Sequence, residues 1–304
     1  MNVGVERVTA AFRDAAIGYL ALGFGAYAVF FVLRGLRWKL LLRNAAPSAT
    51  VRTAASLSAF GWLVSTFVPM KAGDVTRATL LARRERASFA TVAGTVPLER
   101  ALDVLGLAAT ASLGLLAAAV YAHPHLPASV QEAVAVAWAL PILGLLLLFG
   151  LASLVRRYRD RNRLTRFVAR FLDAADELRR SPRRLPALLL TTLLVSAAQV
   201  AVFLFLFLAF EPGAPPSVVL AGVPIFLLSF AISIVPGNVG TYEAAFILVF
   251  GALGFDEQRL SAVGIALHIL TTSMVVVLGA AGLVVDRLTR TAPAPQPVGA
   301  GASP

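Results

Sequence analysis

Charged residues are scarce in this chain, and three small groups of them stand inside otherwise apolar sequence. The first is Glu99, Arg100 and Asp103, preceded by Thr95-Val96-Pro97-Leu98 and followed by Val104-Leu105-Gly106-Leu107. On a helix Glu99 and Asp103 share a face, and Arg100, three before Asp103, can pair with it. The second group is Asp74 and Arg77, just past Pro69-Met70-Lys71-Ala72-Gly73. Arg77 lies one turn beyond Asp74, where its guanidinium can meet a phosphate or the carboxylates of Glu99 and Asp103. The third is Glu243, which follows Pro236-Gly237-Asn238-Val239-Gly240 and stands beside Thr241 and Tyr242. A carboxylate there either answers the positive end of a helix dipole or binds a cation or proton. The presence of Asn238, Tyr242 and two glycines at the same spot favours binding.

Each group has a plainer reading beside the chemical one. The first can be an ion pair at a helix end. In the second, Asp74 can be an N-cap and Arg77 an arginine that snorkels to the interface. His268 reads first as a hydrogen-bonded packing residue and only second as a proton relay, and Gln199 is a weaker case of the same kind. His123-Pro124-His125 supplies two histidines, too few for a convincing metal site. The chain has no cysteine, no P-loop, no His-Glu-x-x-His and no Gly-x-Ser-x-Gly, so neither an enzyme nor a cofactor or metal is expected.

The elements that must position these residues are membrane helices. Of 304 residues 58% are hydrophobic and only 14% charged, where soluble domains sit near a quarter charged. Residues 15–33, 133–155, 185–210 and 260–285 contain no charge, and each meets the roughly 20 residues needed to cross the hydrocarbon. The net charge of +11 fits the excess of Lys and Arg on cytoplasmic loops. Of the 27 basic residues, 21 fall within 34–52, 71–86 and 156–184, which places those segments inside. The basic-poor connections 121–132, 211–216 and 254–259 go outside.

That assignment makes residues 53–70 join two inside segments, so they read as a re-entrant element broken at Pro69–Gly73, since Pro cannot continue a helix. Residues 212–242 with the short run 244–255 read as a second re-entrant pair, entering from outside and broken at Pro236, Gly237 and Gly240. The breaks share a Pro-x-x-x-Gly frame 167 residues apart, and Asp74 and Thr241 follow as N-cap residues. The expected fold is therefore an all-α polytopic membrane domain over 1–290. It holds inverted repeats at about 15–120 and 185–285, linked by helix 133–155 and the basic segment 156–184, with a disordered tail at 291–304. Segment 156–184 carries an apolar stripe among arginines, as expected of a helix lying on anionic headgroups. Membrane lipids, and not nucleic acid, are the expected partners; a homo-oligomer is left open.

An ordered set of short matches makes the chain resemble the lysylphosphatidylglycerol synthase transmembrane-region family, the flippase part of the bacterial multiple-peptide-resistance factor and its stand-alone relatives. The set is Arg37-Trp38 with Leu41-Leu42; Gly73-Asp74 with Arg77-Ala78 and Leu80-Leu81; Glu99-Arg100 with Asp103; and Pro236-Gly237, Gly240 and Glu243. It covers about 30–285. The resemblance implies a multi-pass protein of the cytoplasmic membrane that moves a polar lipid between leaflets. The best-known members carry aminoacylated phosphatidylglycerol; others are linked to hopanoids. In that frame Asp74, Arg77, Glu99, Arg100, Asp103, Asn238, Tyr242 and Glu243 would bind substrate. The arginines would attract a phosphate, and Glu99, Asp103 and Glu243 a cationic headgroup or a proton. No aminoacyl-transferase domain is expected in this chain, and Lys71 stands where relatives often have Arg. Two other readings share these features: an ion-coupled carrier of a small solute, and a non-catalytic accessory protein of lipid or glycan synthesis.

Overall fold

The structure, a computed structural model, describes residues 5–68, 72–121, 180–229 and 235–288, with scattered positions between 135 and 173. Pro69, the histidines at 123 and 125, most of helix 133–155 and of the basic segment, and the 291–304 tail lie outside the described residues. Among the described residues every regular element is a helix.

The sequence runs through α1 (Val5–Arg13), α2 (Ile17–Leu41), α3 (Val51–Phe67), α4 (Ala72–Arg84), α5 (Phe89–Ala93) and α6 (Thr95–Tyr121). It continues in α7 (Leu185–Phe210), α8 (Pro216–Leu228), a 3₁₀ turn at Pro236–Asn238, α9 (Thr241–Ala252) and α10 (Glu257–Leu288). Among the described residues four stretches, Ile17–Leu41, Phe89–Ala117, Pro182–Phe210 and Glu257–Leu288, are long and apolar enough to cross a membrane. α7, at 26 residues, reaches about 39 Å and carries no charge to hold it in water. The apolar helices α8 and α9, with 13 and 12 residues, reach only about 18–20 Å and cannot span about 30 Å of hydrocarbon alone. The protein is a multi-pass α-helical membrane protein.

Close contacts are made by α2 with α7, α3 with α10, and α6 with α8. Lipid tails are as apolar as the helices, so packing rather than water exclusion must hold these pairs, and small residues allow it. On α10, Gly279 faces the Ala59 carbonyl and Gly282 the Ser56 carbonyl; on α6, Gly114 lies against the backbone of Leu220 and Ala221. Around these seams Phe207 and Phe250 meet at 4.7 Å between ring centroids, and Phe226 meets Tyr242 edge-on at 5.0 Å, contacts worth about 0.5–1.5 kcal/mol each beyond the area they bury.

Three local expectations change. α2 runs to Leu41, so Arg34 and Arg37 belong to its buried face and not to a loop. Asp74 is inside the first turn of α4 rather than its cap, because its carboxylate is taken by arginines. Thr241 is the first residue of α9, and Gly240 precedes it at φ 80°. A backbone at positive φ suits glycine, which carries no Cβ to clash.

Candidate functional site

The ion network begins where three helices converge. Arg34 lies seven residues before the end of α2, about 10 Å along the axis, and Arg37 lies one turn further on the same face. Asp74 and Arg77 come from α4, and Glu99, Arg100 and Asp103 from the start of α6. Arg34 reaches Glu99 at 2.6 Å and Asp103 at 3.0 Å. Arg37 bonds Asp103 and lies 3.8 Å from Glu99. Arg77 reaches Glu99 at 2.8 Å and Asp74 at 3.0 Å, and Arg100 reaches Asp74 at 2.6 Å and Asp103 at 3.3 Å. Four guanidiniums thus face three carboxylates, an excess of one positive charge.

Burial raises the stakes. Arg34, Arg37, Arg77 and Glu99 are at most 1% exposed, whereas Arg100 keeps 32% of its side-chain surface. Aromatic faces complete the lining: the Arg77 guanidinium sits 4.4 Å from the Trp38 ring centroid and Arg34 5.5 Å from that of Trp62, positions that favour a cation. Trp38 is itself fixed by donating from Nε1 to Thr95 Oγ1 at 3.0 Å. The approach of α4 to α3 rests on Gly73. A Cβ there would stand 1.7 Å from the Gly61 carbonyl oxygen, and its N–H donates to Ser65 Oγ at 3.2 Å. Gly73 therefore acts through close packing, and the Arg77 stem lies over Gly61.

The second break is built from three left-handed residues, Gly237 (φ 60°), Asn238 (φ 55°) and Gly240 (φ 80°), the types that tolerate such backbone. Glu243 Oε2 accepts the Gly240 N–H at 2.8 Å, and Glu243 Oε1 lies 2.6 Å from His268 Nδ1. His268 Nε2 lies 2.7 Å from the Gly237 carbonyl, and the Tyr242 ring stacks on the imidazole at 4.3 Å.

Both sets of residues open onto one cavity of about 410 Å³. Its wall takes Arg34, Asp74, Arg100 and Asp103 from the ion network, and Gly237, Asn238, Tyr242 and His268 from the second break. Ser65, Thr66 and Val68 bring the end of α3 to the same wall, with Tyr27, Trp62 and Gln199 beside them. The two breaks are neighbours, since a Cβ on Gly237 would lie 3.3 Å from the Thr66 carbonyl oxygen.

Asp74, Arg77, Glu99, Arg100 and Asp103 thus form one network; Arg77 and Glu99 act behind the cavity wall. Asn238 and Tyr242 line the cavity, and Glu243 reaches it through His268. Arg34 and Arg37 are the residues that charge counting hid. Their signal was spacing: they are three apart in an apolar continuation of the 15–33 run, matching the face shared by Glu99 and Asp103. Among the described residues no group of His, Cys, Asp and Glu could hold a metal ion.

A bundle of membrane helices with two breaks and a buried, net-positive ion network around a cavity defines a polytopic membrane protein with a polar interior. The chain belongs to the lysylphosphatidylglycerol synthase TM region family, whose model matches residues 1–279. No curated protein and no solved structure gives a significant match. The family is a membrane domain associated with lipid flipping.

Proposed function

We propose that the protein carries the polar headgroup of a phospholipid across the membrane through this cavity while the acyl chains stay in surrounding lipid. The observation that carries the reading is the excess positive charge of the ion network, of which Arg34 and the partly exposed Arg100 line the cavity beside Asp74 and Asp103. A phosphate arriving there can exchange for one carboxylate on Arg100 and keep a bidentate, charge-assisted contact. Asp74 and Asp103 lie in the same wall, so a headgroup that adds an amine to its phosphate, as aminoacylated phosphatidylglycerol does, suits the site as well.

The reading includes an inverted repeat, with α2, α3, α4 and α6 as one unit and α7, α8, α9 and α10 as the other. Under that correspondence the α3–α10 and α6–α8 contacts are one contact seen twice, and α2–α7 maps onto itself. All three are close in the structure. The short pairs α3/α4 and α8/α9 are then the two re-entrant elements, and their breaks meet at the cavity as transporter sites do.

Leaflet exchange of fluorescent phospholipids in proteoliposomes, read by dithionite quenching, tests the proposal. Wild-type protein should expose inner-leaflet phosphatidylglycerol to quenching. Arg100→Gln removes the excess charge and one charge-assisted contact of about 1.5–3 kcal/mol, slowing exchange roughly ten- to a hundredfold. A fluorescent diacylglycerol, which has no phosphate, should be indifferent to the substitution. Phospholipids that stay in place with wild-type protein overturn the proposal.

A further inference from the structure

We infer that the Glu243–His268 pair is a proton-binding site whose occupancy holds the second break in the conformation seen here, making the proton the coupling ion of the lipid movement proposed above. The inference rests on that reading for its coupling role and on local geometry for the site itself. His268 has an acceptor at each ring nitrogen. The Gly237 carbonyl can only accept, so Nε2, 2.7 Å away, carries a hydrogen. Nδ1 stands 2.6 Å from Glu243 Oε1, a separation that requires a hydrogen between them. An ionised glutamate beside a neutral imidazole owns one hydrogen for these two bonds. The observed arrangement holds two, as Glu⁻ with imidazolium or as protonated Glu with neutral imidazole; the added proton belongs to the pair.

Releasing that proton leaves one N–H for two acceptors, so either the Gly237 carbonyl or the Glu243 carboxylate loses its partner. A lost Nε2 bond frees Gly237, whose left-handed backbone lies against the Thr66 carbonyl of the first break. A lost Nδ1 bond frees Glu243, whose other oxygen holds the Gly240 N–H. Either way the site of the proton is also a brace of the break. The exit is open: His268 and Glu243 keep 15% and 22% of their side-chain surface, and His268 lines the cavity.

The groups that face the pair fit this role. α9 adds Tyr242, stacked on the imidazole. α2 presents Tyr27, and across the cavity stand Arg34, Asp74, Arg100 and Asp103, two charges of each sign. α3 presents Trp62, Ser65 and Thr66, α7 presents Gln199, and α8 contains no ionisable residue. A phosphate on Arg100 adds negative charge to the same cavity and favours the loaded pair, which links headgroup to proton.

Two measurements on the full chain test this. In proteoliposomes, wild-type phospholipid exchange should depend on pH, by up to about tenfold per unit for one proton. Glu243→Gln supplies an amide N–H to Nδ1, so a neutral imidazole makes both bonds with no added proton; its exchange should be slow and independent of pH. His268→Phe should also lose the pH dependence. Separately, ¹⁵N spectra of the imidazole in nanodiscs, assigned by its loss in His268→Gln, are read with the infrared carboxylic C=O band that Glu243→Gln removes. Wild type should show either hydrogens on both ring nitrogens or a bare Nδ1 beside a protonated Glu243, and Glu243→Gln a bare Nδ1. Wild-type exchange that is flat with pH overturns the inference while leaving lipid movement intact. If no exchange is seen at any pH the lipid reading fails, and the spectra then decide the proton site alone: a bare ring nitrogen together with an ionised Glu243 in wild type overturns it.

Discussion

Removing one negative charge from the buried network is the sharpest perturbation the structure offers. Glu99 is fully buried and touches three guanidiniums, at 2.6 Å, 2.8 Å and 3.8 Å. Glu99→Gln keeps the shape and takes the charge, so the network goes from four arginines against three carboxylates to four against two. Leaving buried charges uncompensated costs about 3–5 kcal/mol. At roughly 2–3 °C per kcal/mol for a chain of this size, the melting temperature in detergent should fall by roughly 5–15 °C. The double variant Arg34→Gln/Glu99→Gln restores the excess to one positive charge, with Arg37 still on Asp103 and Arg77 and Arg100 still on Asp74. It should recover at least half of the loss, a coupling that a double-mutant cycle measures directly. Thermal unfolding followed by tryptophan fluorescence suits the assay, since Trp38 and Trp62 stack on network arginines. A single variant within about 1 kcal/mol of wild type, or a double variant that merely sums two losses, would refute the reasoning.

The glycines separate packing from backbone freedom. Gly73→Ala forces a Cβ to within 1.7 Å of the Gly61 carbonyl; it should abolish folded expression on size-exclusion chromatography. Gly240→Ala meets nothing within 4 Å and suffers only its φ of 80°, about 1–2 kcal/mol, so it should fold with a modestly lower melting temperature. Glu211 pairs with Arg259 at 2.5 Å, but Arg259 is 67% exposed. Glu211→Gln should therefore change stability by less than about 1 kcal/mol, with any effect vanishing in high salt. Arg84 and Asp286 join α4 to α10, with the Asp286 side chain 1% exposed; Arg84→Met should destabilise more than Glu211→Gln in the same assay.

The long helices were legible because a spanning segment needs both length and absence of charge. The run 185–210 coincides with α7, and the short apolar runs around Pro236 reappear as α8 and α9. The shared Pro-x-x-x-Gly frame does not distinguish its glycines, whose roles differ: Gly73 serves contact with Gly61, while Gly237 and Gly240 serve positive φ. Arg34 and Arg37 were counted with loop charge because a positive-residue tally cannot distinguish a solvated arginine from one meeting carboxylates about 65 residues away. His268 was weighed alone, since nothing local reveals that its partner is Glu243, 25 residues earlier. Burial patterns belong to one helix and can be read from spacing; ion pairs between helices depend on how the helices cross.

The claim most in need of measurement is that the headgroup passes through the cavity. The chain has no cysteine, so a thiol placed at Thr272, which lines the cavity, is its sole reactive site. Thr272→Cys protein should exchange phospholipid at the wild-type rate until a bulky maleimide is attached, and then stop, while a small methanethiosulfonate adduct slows it less. Unchanged exchange after complete labelling with the bulky reagent would contradict a route through this cavity.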